Sequence, residues 1–113
     1  MSSMKNSVQL IGHLGADPKI VQLENDKVLA KFNMATSVPY TDKAGQRQTD
    51  TQWHQIVAFN GSAKIVEKYL VKGNQVGIEG KLQTRHYEKD GQKHYVTEII
   101  ANEVMLMGNN ARS

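Results

Sequence analysis

Apolar and polar residues alternate along most of the chain, with turn-forming residues between the runs, and this period of two is typical of β-strands. The pattern predicts five principal strands over residues 8–14, 28–36, 53–59, 76–82 and 95–107, with a shorter apolar run at 20–23. Gly77 and Gly80 lie inside the fourth principal strand, where glycines indicate a bulge, a sharp bend or a close backbone approach.

Two polar stretches lie between the strands. Residues 37–52 contain Pro39 and Gly45 and predict a long loop or a flexible hairpin. Residues 84–95 carry Asp90 and Gly91, a dipeptide typical of two-residue hairpin turns, between charged flanks. The second stretch therefore predicts a hairpin arm.

One segment departs from the strand period and predicts a short helix. Ser62 is a candidate N-cap, and Gly73 is placed to end the helix. The apolar face would be shared by Ile65, Val66, Tyr69 and Leu70. Five principal strands with one short helix between the third and the fourth form the layout of an all-β OB-fold, a partly open five-stranded barrel. The pattern alone leaves other small β-barrels open.

Composition narrows the class of protein only moderately. The 113 residues have a mean hydropathy of −0.53, which fits one globular domain, and no apolar run approaches the roughly 18 residues of a membrane helix. We therefore expect no membrane association. The absence of cysteine excludes disulfides and thiolate chemistry and fits a reducing compartment. A net charge of +3 with a pI of 9.2 is compatible both with a polyanionic partner and with an ordinary surface.

Residue types that catalyse reactions are present but not arranged for catalysis. The histidines have no metal-binding spacing; they are His13, His54, His86 and His94. No phosphate-binding glycine loop, nucleophile elbow or paired carboxylates can be found in the sequence. We expect no catalytic residue, no metal site and no cofactor.

The aromatic residues carry the most specific information. Trp53 and Phe59 share one face of their strand, while His54, Ile56 and Ala58 share the other. If the second face is the core, both rings lie outside or in a groove. A strand buried on both faces would instead hide them, and the pattern gives the two interpretations equal weight. A core position would explain Phe32 and Tyr69.

Other rings have cationic neighbours. Tyr40 begins a basic stretch, and Tyr87 lies between Arg85 and Lys89. Rings interleaved with cations suit single-stranded nucleic acid, because bases stack on the rings while phosphates follow the cations.

The motifs resemble those of bacterial single-stranded DNA-binding proteins. Asn6–Leu14 (NSVQLIGHL) and the following Gly15-Ala16-Asp17-Pro18 are similar to the family opening N-x-V-x-L-x-G-x-L-x-x-D-P. Further similar segments follow in the family's order: Ala35-Thr36-Ser37, Thr51–His54 (TQWH), Ala63–Gly73 and Val76–Arg85 (VGIEGKLQTR). The resemblance covers residues 6–108. It implies an OB-fold, no catalysis, and sequence-tolerant binding and protection of single-stranded DNA in replication, recombination and repair.

The resemblance also implies roles for particular residues. Base stacking is expected from Trp53, Phe59, Tyr40 and Tyr87. Phosphate contacts are expected from Lys43, Arg47, Lys72, Lys81, Arg85 and Lys89. A homotetramer is implied as well. We expect its subunit interface to include His54 and the first strand, through Val8 and Leu10, because an open strand edge pairs readily with its copy.

Organisation, location and partners follow from the same resemblance. We expect an OB domain over residues 1–108 and a short disordered end over 109–113. Family members usually continue into a linker and an acidic tip that binds replication and repair enzymes. Such a tail does not follow here, so we expect no tail-mediated partners. A cytoplasmic, nucleoid-associated location in a bacterium is implied. The alternative is an OB-fold accessory module of the primosomal type, acting through protein interactions.

Overall fold

The computed structural model describes residues 4–107, which form a β-barrel with one helix. A short 3-10 turn at Met4–Asn6 comes first. The remaining elements are β1 (Val8–Leu14), β2 (Lys19–Gln22), β3 (Val28–Thr41), β4 (Arg47–Phe59), α1 (Asn60–Tyr69), β5 (Gln75–Lys89) and β6 (Gln92–Leu106). Residues 109–113, for which we expect disorder, lie outside the described part of the chain.

The sheet closes on itself into a barrel. Its strand order is β1-β5-β6-β4-β3-β2, and β1 also pairs with β3 at His13 and Leu14. The pairing of β4 with β6 is parallel, whereas the other pairings are antiparallel. The short strand β2 lies at the edge of the sheet beside β3. The five long strands β1, β3, β4, β5 and β6 are the five predicted principal strands, so the helix between β4 and β5 lies between the third and the fourth of them. This arrangement confirms the predicted OB-fold.

The core follows the alternation of the sequence. Val28, Ala30, Phe32 and Met34 point inward from β3, and all are buried. Phe32 therefore has the predicted core position. The helix α1 covers the barrel with Ala63, Val66 and Leu70, which are likewise buried.

Two glycines allow strands to approach closely. A β-carbon at Gly12 would collide with the carbonyl oxygen of Ala35, at the point where β1 crosses β3. A β-carbon at Gly80 would collide with the carbonyl oxygen of Ile100, beside a register shift between Glu79 and Gly80. The predicted bulge or close approach in this strand is confirmed. Both glycines let a small barrel bend sharply.

The helix differs from the prediction at its start, on its face and at its end, where it stops at Tyr69 rather than beside Gly73. The chain enters α1 directly from β4, so Phe59 occupies the N-cap position and no side chain caps the helix. Ser62 lies inside the helix, where its hydroxyl donates to the carbonyl oxygen of Asn102 at 3.5 Å. Ser62 as the cap is therefore wrong. Tyr69 and Ile65 are exposed, so their predicted place on the buried face is wrong too.

Both polar stretches form hairpin arms that consist almost entirely of exposed residues. The β3–β4 arm (residues 37–52) remains paired out to Thr41 and Arg47, so the hairpin interpretation is confirmed and the loop is excluded. The β5–β6 arm (residues 83–97) turns at Asp90 and Gly91, whose φ angles are 53° and 76°. The predicted two-residue turn is confirmed. In the described residues, no helix has the length and apolar character that crossing a bilayer requires.

Candidate nucleic-acid interface

The two arms diverge around a cleft. β4 and β6 pair only where Ile56–Ala58 meets Ile99–Ala101, and the strands separate on the N-terminal side of these residues. The resulting cleft measures about 390 Å³. Its lining includes Trp53, Gln55 and Tyr95. The separation of the strands thus creates an open passage at the base of both arms.

A groove of about 320 Å³ lies on the outer face of β3 and β4. Asn33 and Gln55 are register partners on its floor, with Lys31 on the same strand as Asn33. Gln55 lines both the cleft and the groove, so the two adjoin at this residue. Besides these two amides, the lining offers the ammonium groups of Lys19 and Lys31, together with the carboxylates of Asp17 and Glu98.

Trp53 stands at the base of the cleft with 62% of its surface exposed. Its ring lies against the backbone of Gly15, where a β-carbon would be 2.5 Å from the ring atom Cζ3. The β1–β2 loop thus supports the ring on one side and leaves the rest open. Burial of both strand faces, the other interpretation of the pattern, is wrong.

Phe59 lies at the far end of β4, at the start of α1, and is 42% exposed. It lies six positions beyond Trp53 along the strand, a distance of about 20 Å. Between them, Val57 is buried, so the outer face of β4 is not uniformly exposed. Trp53 and Phe59 therefore present rings at two separated positions along one strand.

The two tyrosines lie on different arms. Tyr40 is on the β3–β4 arm and Tyr87 on the β5–β6 arm, and about half of each side chain is exposed. Tyr87 stacks on His94 across the hairpin, with ring centroids 5.3 Å apart and planes 21° apart. One face of the Tyr87 ring is thereby occupied, and the opposite face is available.

The cations expected to contact phosphate are distributed over several elements. Lys43 and Arg47 lie at the end of the β3–β4 arm and Lys89 at the end of the β5–β6 arm, all exposed. Lys81 is an exposed residue of β5. Lys72 follows α1, and its backbone N–H donates to Asp17 Oδ1 at 2.8 Å. Because Asp17 lines the groove, this bond places Lys72 at the groove margin.

Arg85 differs from these cations because it is already paired. Its Nε and a terminal nitrogen donate to the two carboxylate oxygens of Glu98 at 3.0 and 3.2 Å. This hydrogen bonding, with the charge of Glu98, raises the pKa of Arg85 above its usual range. Glu98 is buried and lines the groove. The pair braces the base of the β5–β6 arm, and a phosphate contact from Arg85 stays a prediction.

The residues expected at a subunit interface lie partly inside the chain's own fold. Val8 and Leu10 pack against the barrel core and are half-buried. His54 is half-buried, with Nε2 at 2.9 Å from the Thr36 hydroxyl. The opposite face of β1 presents Ile11, and Met105 is similarly exposed on β6. They flank a shallow cavity of about 500 Å³.

Sequence reasoning did not find all residues of the cleft and groove. It missed Lys31, Asn33, Gln55 and Tyr95. The alternation along β4 places Gln55 beside Trp53 and could have identified it. The other three become neighbours only through strand pairing, for which the local pattern carries no signal.

Comparison with known proteins identifies the family of this chain. The model of the "Single-strand binding protein family" matches residues 5–107. A "Single-stranded DNA-binding protein 1" from Chlorobaculum tepidum is 44% identical over 105 residues, which are 91% of this chain and 65% of that protein. A "Single-stranded DNA-binding protein 1" from Xylella fastidiosa is 41% identical over 91% of this chain and 77% of its own length. The chain thus spans about two-thirds to three-quarters of these relatives.

Solved structures give the same result. A "Plasmodium falciparum SSB complex with ssDNA" superposes with a TM-score of 0.84 at 30% identity, covering 96% of this chain and 99% of that one. A deletion mutant of the single-stranded DNA-binding protein from Thermus aquaticus superposes with a TM-score of 0.81 at 28% identity, covering 95% and 52%.

The barrel, its two arms and the exposed rings define an OB-fold nucleic-acid-binding domain. The chain belongs to the single-strand binding protein family, whose members are DNA-binding proteins rather than enzymes.

Proposed function

We propose that this chain binds single-stranded DNA in the cleft between its arms and in the groove that adjoins it. The observation that carries the proposal is the Trp53 ring, supported from behind by Gly15 and open toward the cleft. Stacking on an aromatic ring tolerates any base, because every base has a π-face. The relatives' names and the single-stranded DNA in a similar solved structure support the same ligand.

Two kinds of contact, base stacking and phosphate contacts, would contribute to the binding of single-stranded DNA. Trp53, Phe59, Tyr40 and Tyr87 would stack bases, and each has an exposed ring surface. Phosphates would be contacted by Lys43, Arg47 and Lys89 on the arms, by Lys81 on β5 and by Lys72 at the groove margin. Arg85 would contribute from its pair with Glu98. Such binding releases counterions and therefore weakens as salt rises. Protection of single strands in replication, recombination and repair, with a nucleoid-associated location, would follow.

The experiment is a set of titrations with oligo-dT, duplex DNA and single-stranded RNA, using the parent chain and Trp53→Ala. We expect the chain to prefer oligo-dT over duplex DNA, and we expect Trp53→Ala to weaken dT binding by about 1–3 kcal/mol. Leu23→Ala is the matched control, because Leu23 is exposed but lines neither the cleft nor the groove. Equal affinity for single strand and duplex, or an unaffected Trp53→Ala, would refute the proposal.

We further propose a homotetramer. The support is an exposed apolar surface on the barrel wall, where Ile11 and Met105 are each more than half exposed beside Gly77. In the described residues, β1 pairs with β3 only at His13 and Leu14, which leaves its edge from Val8 onward available to another strand. Assembly would cover both features and place several clefts on one particle, so that one DNA strand could engage more than one of them.

A further inference from the structure

The outer face of α1 carries a cationic and aromatic surface that the cleft and groove do not include. Lys64 and Lys68 lie one helical turn apart on the side opposite the buried residues Ala63 and Val66, and both are exposed. Tyr69, beside Lys68, has 52% of its surface exposed. We call Lys64, Lys68 and Tyr69 the helix surface.

Charge makes this surface suitable for an anionic polymer. Between Asn60 and Gly73 the sequence holds three lysines and one acidic residue, Glu67. In the part of the chain that the structure describes, neither Lys64 nor Lys68 forms an ion pair. Their charges are therefore not neutralised by a neighbouring carboxylate.

The helix surface places a cation next to an aromatic ring. The ammonium nitrogen of Lys68 lies 5.3 Å from the centroid of the Tyr69 ring, a cation–π arrangement. The ammonium group thus lies over one face of an exposed ring. A nucleotide at this position could stack its base on Tyr69 while its phosphate meets Lys68.

Both ends of α1 lie at the margin of the groove. Phe59, an exposed ring immediately before the helix, lies two positions beyond Val57, which lines the groove. Lys72, just beyond its other end, is bonded through its backbone to Asp17, which lines the groove. The helix rises about 15 Å between Phe59 and Tyr69, which is at most about four nucleotides of a stacked strand. A strand that passes Phe59 is therefore within a few nucleotides of Tyr69.

From this proximity we propose that single-stranded DNA leaving the groove at Phe59 continues over α1, with Lys64 and Lys68 binding phosphates and Tyr69 stacking a base. The proposal deepens the proposed function by extending its DNA path and depends on that function. It assigns binding roles to residues of the helix surface outside the cleft and groove.

Charge reversal on the helix tests the path. In the double variant Lys64→Glu/Lys68→Glu, binding of a dT oligomer of about 16 nucleotides should weaken on the order of tenfold. The slope of log affinity against log salt should become shallower by about 1.4, which is about 0.7 for each phosphate that the variant no longer neutralises. A dT oligomer of about 4 nucleotides, short enough for the cleft alone, should bind both proteins equally.

Two controls separate a local contact from a general effect of net charge. Lys64→Arg/Lys68→Arg keeps both charges and should bind as the parent does. Glu67→Lys combined with Lys68→Glu conserves net charge but rearranges it on the helix, and it should bind the longer oligomer more weakly. Tyr69→Leu should weaken the longer complex and leave the short one unchanged.

The outcomes distinguish this proposal from the proposed function. Suppose that the short oligomer still quenches the fluorescence of Trp53, but the longer oligomer binds Lys64→Glu/Lys68→Glu with the parent's affinity and salt slope. The path over the helix is then wrong, while the proposed binding in the cleft remains supported. If Glu67→Lys/Lys68→Glu binds the longer oligomer as the parent does, the path over the helix is also wrong, because net charge would then explain the weaker binding of Lys64→Glu/Lys68→Glu. If neither oligomer binds the parent chain, the proposed function itself fails.

Discussion

Gly15 and Trp53 form the contact that fixes the stacking ring. The ring rests on the Gly15 backbone, so it stands upright in the cleft although more than half of it is exposed. An exposed side chain without such support loses rotational freedom on binding, and that loss opposes affinity. The glycine therefore helps binding by holding the ring in place beforehand.

This contact leads to a prediction about Gly15→Ala. The added methyl group would lie 2.5 Å from the Trp53 ring and must displace it. We expect dT affinity to fall by about 1 kcal/mol, which is part of the stacking energy of one base. Gly61→Ala is the matched control because a methyl group added there would meet no heavy atom within 4 Å. Its affinity should equal the parent's, and equal affinity of Gly15→Ala would contradict the supporting role.

At the scale of single residues, the sequence predicts the roles of some residues and not of others. The motif residues resembling the family opening have structural contacts: Asn6 bonds the backbone of Leu82 twice, and Asp17 accepts from Lys72. The alternation along β4 correctly places Trp53 and Phe59 on one face, but it left open whether that face is exposed, as the structure shows both rings to be. The pairing of Arg85 with Glu98 could not be anticipated, because it depends on the register between β5 and β6 rather than on local sequence.

At the scale of elements, the turn of the β3–β4 arm is organised by one carboxylate. Asp42 accepts hydrogen bonds from the backbone N–H groups of Ala44 and Gln46, both at 2.9 Å, and from the Gln48 side chain at 3.1 Å. These bonds, the one from Gln46 above all, lower the pKa of Asp42 below its ordinary value. The ionised carboxylate thus holds the turn that carries Lys43.

The sign of the pH dependence of this turn follows from the lowered pKa of Asp42. Because the folded-state pKa of Asp42 is lowered, its contribution to stability is present above the pKa of the unfolded chain and is lost as pH falls through the folded value. We expect the amide resonances of Ala44 and Gln46 to titrate together in acid, with a midpoint below that of an ordinary aspartate. Asp42→Asn should abolish this step. A midpoint at the ordinary value would show that the bonds are absent in solution.

The elements were predictable to different degrees. Strand period and turn residues identified the barrel strands and the Asp90-Gly91 hairpin because both signals are local. The helix face was predicted only in part, since Val66 and Leu70 are buried but Ile65 and Tyr69 are not. A barrel end accepts one narrow stripe of a short helix, and Ala63 completes that stripe because it is small.

At the scale of the whole molecule, the exposed wall of the barrel leads to a prediction about assembly. We expect light scattering to find a species of about four times the 12.6 kDa chain mass. Ile11→Glu should produce smaller species, because it buries a charge in the proposed interface. Val38→Glu changes an equally exposed residue on the β3–β4 arm and should remain tetrameric. A parent chain of 12.6 kDa in solution would contradict the assembly.

The most direct measurement of the central claim is the fluorescence of Trp53 during titration with oligo-dT at several salt concentrations. Trp53 is the chain's single tryptophan, so the signal reports the cleft alone. We predict saturable quenching, with log affinity falling against log salt by about 0.7 for each phosphate neutralised. Saturable binding with unchanged Trp53 emission, or affinity that does not depend on salt, would contradict the proposed binding of single-stranded DNA in the cleft.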